Sequence, residues 1–143
     1  MIYLEKPAEF QPQFEVVGCF MEHAGKILLL HRAAHKPQGG TWGIPAGKVA
    51  KDEDTKQAIV REIREETGIE IDPALFKYYR KIFVSYPDIK FVYHMFQTPL
   101  NQLPAVSLDP TSHQAFTWVT PGEALTMNLI MDQDVCFKMF YNL

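Results

Sequence analysis

The chain has 143 residues, a formal net charge of −3, 47% hydrophobic and 22% charged residues. Length and composition predict one domain, 1–143, with an ordinary core, and the near-neutral charge gives no electrostatic basis for binding nucleic acid. No apolar run approaches the roughly 18 residues of a spanning helix, and the opening MIYLEKPAEF lacks the basic and apolar regions of a signal peptide, so a cytoplasmic protein without membrane contact is expected.

Residues 1–13, with Pro7 and Pro12, read as a loosely held N-terminal arm. Glu15 to Met21 is an apolar, β-rich run; Glu22-His23-Ala24-Gly25 turns it back, and Lys26 to His31 completes a hairpin. Cys19 in the first strand and Cys136 near the end form neither a disulfide framework nor a metal motif and are expected as buried thiols. Gly39 to Gly47 combines Gly39, Gly40, Gly43 and Gly47 with Pro45, a loop whose backbone can approach a ligand closely. A helix is predicted over 55–67, with Asp54 as N-cap, Gln57 as its capping-box partner and Gly68 as the stop. Asp72-Pro73 turns into a strand over 77–85, and Tyr86-Pro87-Asp88 turns into another over 90–97. Residues 98–111 form a long loop before a strand over 114–119. Thr120-Pro121-Gly122-Glu123 is a second capping box, opening a short helix. Asp132 is expected to cap a last helix with Val135, Met139 and Phe140 on its apolar side. Strands, one helix, more strands and terminal helices imply an α/β fold with a mixed sheet between helices.

The chemistry concentrates in residues 47–69, GKVAKDEDTKQAIVREIREETGI. Ile59, Val60 and Ile63 make an apolar stripe on the predicted helix, and Glu62, Glu65 and Glu66 stand at i, i+3 and i+4 on the adjoining face. Three carboxylates on one face repel one another unless a cation lies among them, and beside a glycine loop that arrangement suits a divalent metal and phosphate chemistry. Arg61 can reach Glu65 and back to Glu53, orienting the group.

With Gly47, Glu53, Arg61, Glu62, Glu65, Glu66 and Gly68 at these spacings, the segment resembles the Nudix box of the Nudix hydrolase (MutT-like) superfamily. Lys26 to Arg32, Trp42 to Gly47 (Ala46 replacing the usual first glycine) and Phe116 to Leu125 are similar to its flanking elements, so the likeness spans roughly residues 15–140. The resemblance implies an α/β/α sandwich with a mixed β-sheet, and a Mg²⁺- or Mn²⁺-dependent pyrophosphohydrolase. Glu62, Glu65, Glu66 and the Ala46 carbonyl would be the metal ligands. Glu53 and Arg61 would orient them, and Gly47 would permit the loop geometry. Lys48 and Arg32 are candidates for phosphate contact and read equally well as solvated cations. The general base is open between Glu62 and His113, since relatives often carry glutamate where this chain has Ser112 or His113.

Phe83, Tyr86, Phe91, Tyr93 and Phe96 on adjacent predicted strands are candidates to stack on a base; the alternative for each is core packing. Tyr86, 17 residues past Ile69, is similar to a pattern in dinucleoside-polyphosphate hydrolases. The expected substrate is a small nucleotide, first a nucleoside triphosphate, then a dinucleoside polyphosphate or nucleotide sugar, acted on by a monomer or homodimer. A non-catalytic nucleotide-sensing domain is the alternative from another class. An isomerase-type relative is disfavoured by chain size.

Overall fold

The computed structural model describes all 143 residues. Side-chain alternation along two central strands sets the layering. In β2 (Phe14–His23) and β3 (Lys26–Arg32), Val17, Cys19, Met21, Leu28 and Leu30 face α1 (Thr55–Thr67), packing on Ala58, Ile59 and Ile63. Phe20, Ile27 and Leu29 face the other way, onto Cys136 and Phe137 of α3 (Gln133–Tyr141). A sheet buried on both faces between helices is the expected α/β/α arrangement. Both cysteines are free and buried in these two layers.

The β2–β3 hairpin closes through Ala24 (φ 50°) and Gly25 (φ 78°), with His23 opposite Lys26. Positive φ at both turn residues matches the right-handed twist of the strands. The first strand therefore runs through Glu22 and His23, which the sequence placed in the turn. The sheet continues through β6 (Lys77–Ser85) and β7 (Lys90–Pro99), which pair antiparallel, and β7 lies parallel to β2. On the other side, β4 (Trp42–Gly43) and β8 (His113–Val119) pair antiparallel with β3, while β5 (Ala46–Lys48) pairs with β2. The sheet is thus mixed. The glycine loop holds two short strands rather than open coil.

Two expectations are corrected. The N-terminal arm is tethered: β1 (Ile2–Tyr3) pairs with β6, the Met1 amino group donates to Ser85 O (2.7 Å), and Phe10 packs edge-on against Phe83 at 5.5 Å. The exposed edge of β6 offers backbone groups that the arm satisfies. Asp132 stands at the N-terminus of α3 but in the left-handed region (φ 64°) and makes no side-chain cap. The stripe of α3 that meets the sheet is Gln133, Cys136 and Phe137, with Phe140 stacked on Phe20 at 4.2 Å, while Val135 is exposed. The capping box at Thr120 opens α2 (Pro121–Ala124) as predicted. No helix is long and apolar enough to cross a membrane.

Candidate active site

The acidic helix is fixed at both ends. Asp54 accepts from Gln57 N (2.7 Å), the Gln57 side chain accepts from Asp54 N (2.9 Å), and Gly68 (φ 71°) closes the helix by donating to Arg64 O. Both signals are local, and the observed span equals the predicted one. Pairing of β5 with β2 then brings the glycine loop against the helix face.

Arg61 organises that face. Its guanidinium grips Glu53 bidentately at 2.7 and 2.9 Å and donates to Glu62 (2.9 Å), Glu65 (3.1 Å) and the Lys48 carbonyl (3.0 Å). Hydrogen bonding to Arg61 holds the Glu53 carboxyl down at about 2, fully ionised at neutral pH. The Ala50 N–H also donates to Glu53 (2.9 Å), tying the loop before the helix into the same network.

Glu62 and Glu66 face β5. A Cβ at Gly47 would overlap the Glu62 carboxylate, so any larger residue there displaces that carboxylate from its place. Glu66, 9% exposed, accepts from Ala46 N at 3.4 Å. Burial first, and the neighbouring Glu62 carboxylate second, push the Glu66 carboxyl well above its ordinary range. Burial also raises Glu62, against the pull of Arg61. Two crowded carboxylates driven toward protonation are a donor set that fits a hard divalent cation. Side chains of three Asp, Glu, His or Cys residues are not set in metal-holding positions in this structure. One Arg61 nitrogen donates to both Glu62 and Glu65, holding these two carboxylates together, while Glu66 is turned to the Ala46 N–H.

Ala46 also borders a cavity of about 240 Å³ between the sheet and the segment leading into α3. Phe14, Val16, Phe91 and Tyr93 supply apolar wall, with Phe14 and Phe91 stacked at 5.4 Å. Tyr93 lies across Gly18, where a Cβ would overlap the ring. Arg32, Tyr86, His113, Asp132 and Gln133 supply polar wall. The Tyr86 hydroxyl donates to Asp132 Oδ2 (2.6 Å), and Gln133 Oε1 accepts from Ile44 N (3.2 Å). Gln133 Nε2 and His113 Nδ1 are buried without a partner.

The predicted residues thus fall into two adjoining groups. Glu53, Arg61, Glu62, Glu65, Glu66, Gly47 and the backbone of Ala46 meet at the helix; Arg32, Tyr86 and His113 meet at the cavity. Arg32 donates through Nε to Pro37 O (2.8 Å), and Lys48 places Nζ 4.3 Å from the centroid of the Phe14 ring. Of the aromatic candidates, Tyr86, Phe91 and Tyr93 line the cavity, whereas Phe83 and Phe96 are core. Burial, with Arg32 nearby, lowers His113 to about 4. Phe14 and Gln133 were not anticipated. Gln133 had one legible signal: it is the polar member of a helical apolar stripe with Cys136, Phe137 and Phe140.

The NUDIX domain family profile matches residues 12–138. The chain is 40% identical over 111 residues to the CTP pyrophosphohydrolase of Escherichia coli K12, covering 78% of each protein. It is 33% identical over 72 residues to the 8-oxo-dGTP diphosphatase of the same organism, covering 50% of this chain and 54% of that one. The solution structure of the E. coli ORF135 protein superposes with a TM-score of 0.74 at 34% identity, covering 91% of this chain and 89% of the other. Box, layered fold and relatives agree: the chain belongs to the Nudix hydrolase family, whose members act on phosphoric anhydrides.

Proposed function

We propose that the chain is a Mg²⁺-dependent (or Mn²⁺-dependent) pyrophosphohydrolase that converts a nucleoside triphosphate to a nucleoside monophosphate and pyrophosphate. One observation carries this reading: Ala46 joins the carboxylate face to a largely apolar cavity that opens on the same loop, so one ligand can reach both. An anhydride linked to a nucleoside needs that pairing of a charged and an apolar subsite. The similarity to a CTP pyrophosphohydrolase over most of both chains supports the same class.

Glu62, Glu66, Glu65 and the Ala46 carbonyl hold the cation in this reading, Glu65 after release from Arg61. When bound, the cation supplies charge neutralisation of the anhydride and an acidified water. Glu53 and Arg61 set the carboxylate geometry. Gly47 lets the loop backbone close on Glu62. Lys48 and Arg32 meet phosphate oxygens, and Tyr86 and Phe91 border the nucleoside. Proton abstraction belongs with the carboxylates, Glu62 first, because His113 at about 4 is a weak acceptor.

The test is release of phosphate and pyrophosphate from nucleoside triphosphates, dinucleoside polyphosphates, nucleotide sugars and ADP-ribose, with Mg²⁺ or EDTA. Glu66→Gln is the control. Metal-dependent pyrophosphate release from a triphosphate, lost in the variant, is the expected result. Cleavage confined to a dinucleoside polyphosphate or nucleotide sugar would replace the substrate class. Binding without turnover would replace the enzyme with a nucleotide sensor.

A further inference from the structure

On the face of the sheet that meets α1, three side chains form a chain of hydrogen bonds outside the anhydride site. The Tyr78 hydroxyl lies 2.9 Å from His94 Nδ1, and His94 Nε2 lies 2.8 Å from Glu15 Oε1. β6, β7 and β2 supply one residue each. None of the three lines the cavity. The strand registers explain why they converge. His94 is the partner of Val17, the second residue after Glu15, so Glu15 and His94 share a face. Tyr78 is the partner of Phe96, the second residue after His94, and a long aromatic side chain reaches that diagonal neighbour. Val17 and Phe96 pack in the same core cluster as Ile59 and Ile63, which fixes the face as the one under α1.

The polarity of the chain is set from its acidic end. An ionised carboxylate only accepts, so in the neutral ring Nε2 carries the proton and donates to Glu15. Nδ1 then offers a lone pair, and the Tyr78 hydroxyl donates to it. His94 is 8% exposed and Tyr78 is 49% exposed, so a buried imidazole held in one tautomer stands behind a phenol that faces solvent. Phe96 meets the Tyr78 ring edge-on at 5.2 Å and fixes its place. Hydroxyl, imidazole and carboxylate in this order are the arrangement that turns a neutral hydroxyl into a nucleophile. Burial first, and the charge of Glu15 second, hold the Tyr78 phenol above its ordinary range. Its proton must therefore leave during attack, and Nδ1 is placed to take it.

We propose that Tyr78, His94 and Glu15 form a second reactive centre, in which Tyr78 accepts an acyl group from an activated acyl donor such as an aryl ester. The Tyr78 oxygen bonds to the acyl carbon as its proton passes to His94 Nδ1. The bond from the acyl carbon to the leaving oxygen then breaks, and the leaving group departs with the electron pair and takes up that proton. The product is a tyrosine ester. Glu15 stabilises the imidazolium formed on the way. This centre is independent of the proposed pyrophosphohydrolase reaction.

The probe is p-nitrophenyl acetate, applied to the full chain. Acetylated sites are mapped over time by peptide mass spectrometry, and neutral hydroxylamine separates labile tyrosine esters from stable lysine amides. Tyr3, 38% exposed and outside the triad, is the internal control. Tyr78 is expected to acetylate about 100-fold faster than Tyr3, the lower end of what a positioned general base contributes. Glu15→Gln and His94→Gln should bring the Tyr78 rate close to that of Tyr3, with circular dichroism checking the fold, and Tyr78→Phe should remove the labile ester. Equal rates at Tyr78 and Tyr3 in the unaltered protein would overturn the proposal and reduce the triad to a brace between strands. That comparison needs no variant to fold. Fast acetylation of Tyr78 that survives both Gln substitutions in folded chains would overturn it as well, since reactivity would then come from exposure alone.

Discussion

Arg61 and Glu53 are joined by two hydrogen bonds, 2.7 and 2.9 Å long, and through that pair the loop before α1 governs where the carboxylates of the helix stand. Removing either partner frees Glu62 and Glu65 from a common anchor. Arg61→Ala and Glu53→Gln are each expected to lower kcat/KM by about 10- to 100-fold, the range found when groups that orient metal ligands are lost. The double variant should lose little more than the worse single one, because both changes break one unit. Steady-state kinetics on the four proteins of this cycle give the coupling, and additive losses would show that the two residues act separately.

At Gly47 the constraint is steric. A methyl group there occupies the space of the Glu62 carboxylate, so Gly47→Ala must displace either the loop or the side chain. Overpacking of this kind costs about 1–3 kcal/mol. A displacement of about an ångström at a reacting centre costs on the order of 100-fold in rate. Gly47→Ala should therefore stay folded, with a Tm lowered by several degrees and kcat reduced by about that factor. Unchanged kcat would separate Glu62 from the chemistry.

The contribution of His113 to stability should fall on the acid side, opposed there by the raised Glu62 and Glu66 carboxyls, which gain stability as they protonate. Its folded pKa, depressed to about 4, lies below the ordinary value of 6.5. Between those values the unfolded chain binds a proton that the folded chain refuses, so this contribution is fully present above pH 6.5 and declines as pH drops toward 4. The loss should be roughly 2 kcal/mol after allowance for partial solvent screening. The difference in stability, read from urea midpoints, between His113→Phe and the unaltered protein should grow by this amount as pH falls across that window. The Glu53 carboxyl, held near 2, acts at lower pH and leaves the window distinct.

The two ends of α1 are independent stabilising devices. Asp54→Ala removes the N-terminal cap, and Gly68→Ala forces a side chain into the left-handed region with its new methyl 3.1 Å from Ser107 Cβ. Each should cost about 1 kcal/mol, and the double variant should cost the sum. Denaturant unfolding measures all three; a deficit in the sum would show that the helix ends communicate.

Legibility followed locality. The span of α1, its caps and the capping box at Thr120 are written within four or five residues, and the sequence placed them correctly. Reach along one helix was legible too, which is why the Arg61 bonds to Glu65 and back to Glu53 were anticipated. The tethered arm was not, because nothing in residues 1–13 records that β6 presents an open edge. Nor was the geometry of Asp132, whose side chain answers Tyr86, a partner 46 residues away, and not its own helix. The cavity suffered most: Phe14, Phe91 and Gln133 converge from three separate stretches of chain, and no spacing rule links them.

The parallel ladder between β2 and β7 pairs Phe14 with Phe91 across the whole of β3, the glycine loop and α1. Such a pairing repays its loop-closure entropy only late, after the hairpin and the helix have formed. The cavity wall is built on both of these strands, so a chain caught before the ladder zips would hold a formed acidic helix with nowhere to seat a nucleoside. Gain of nucleotide affinity during refolding would then be a clock for the last step of assembly, running behind the recovery of helical circular dichroism.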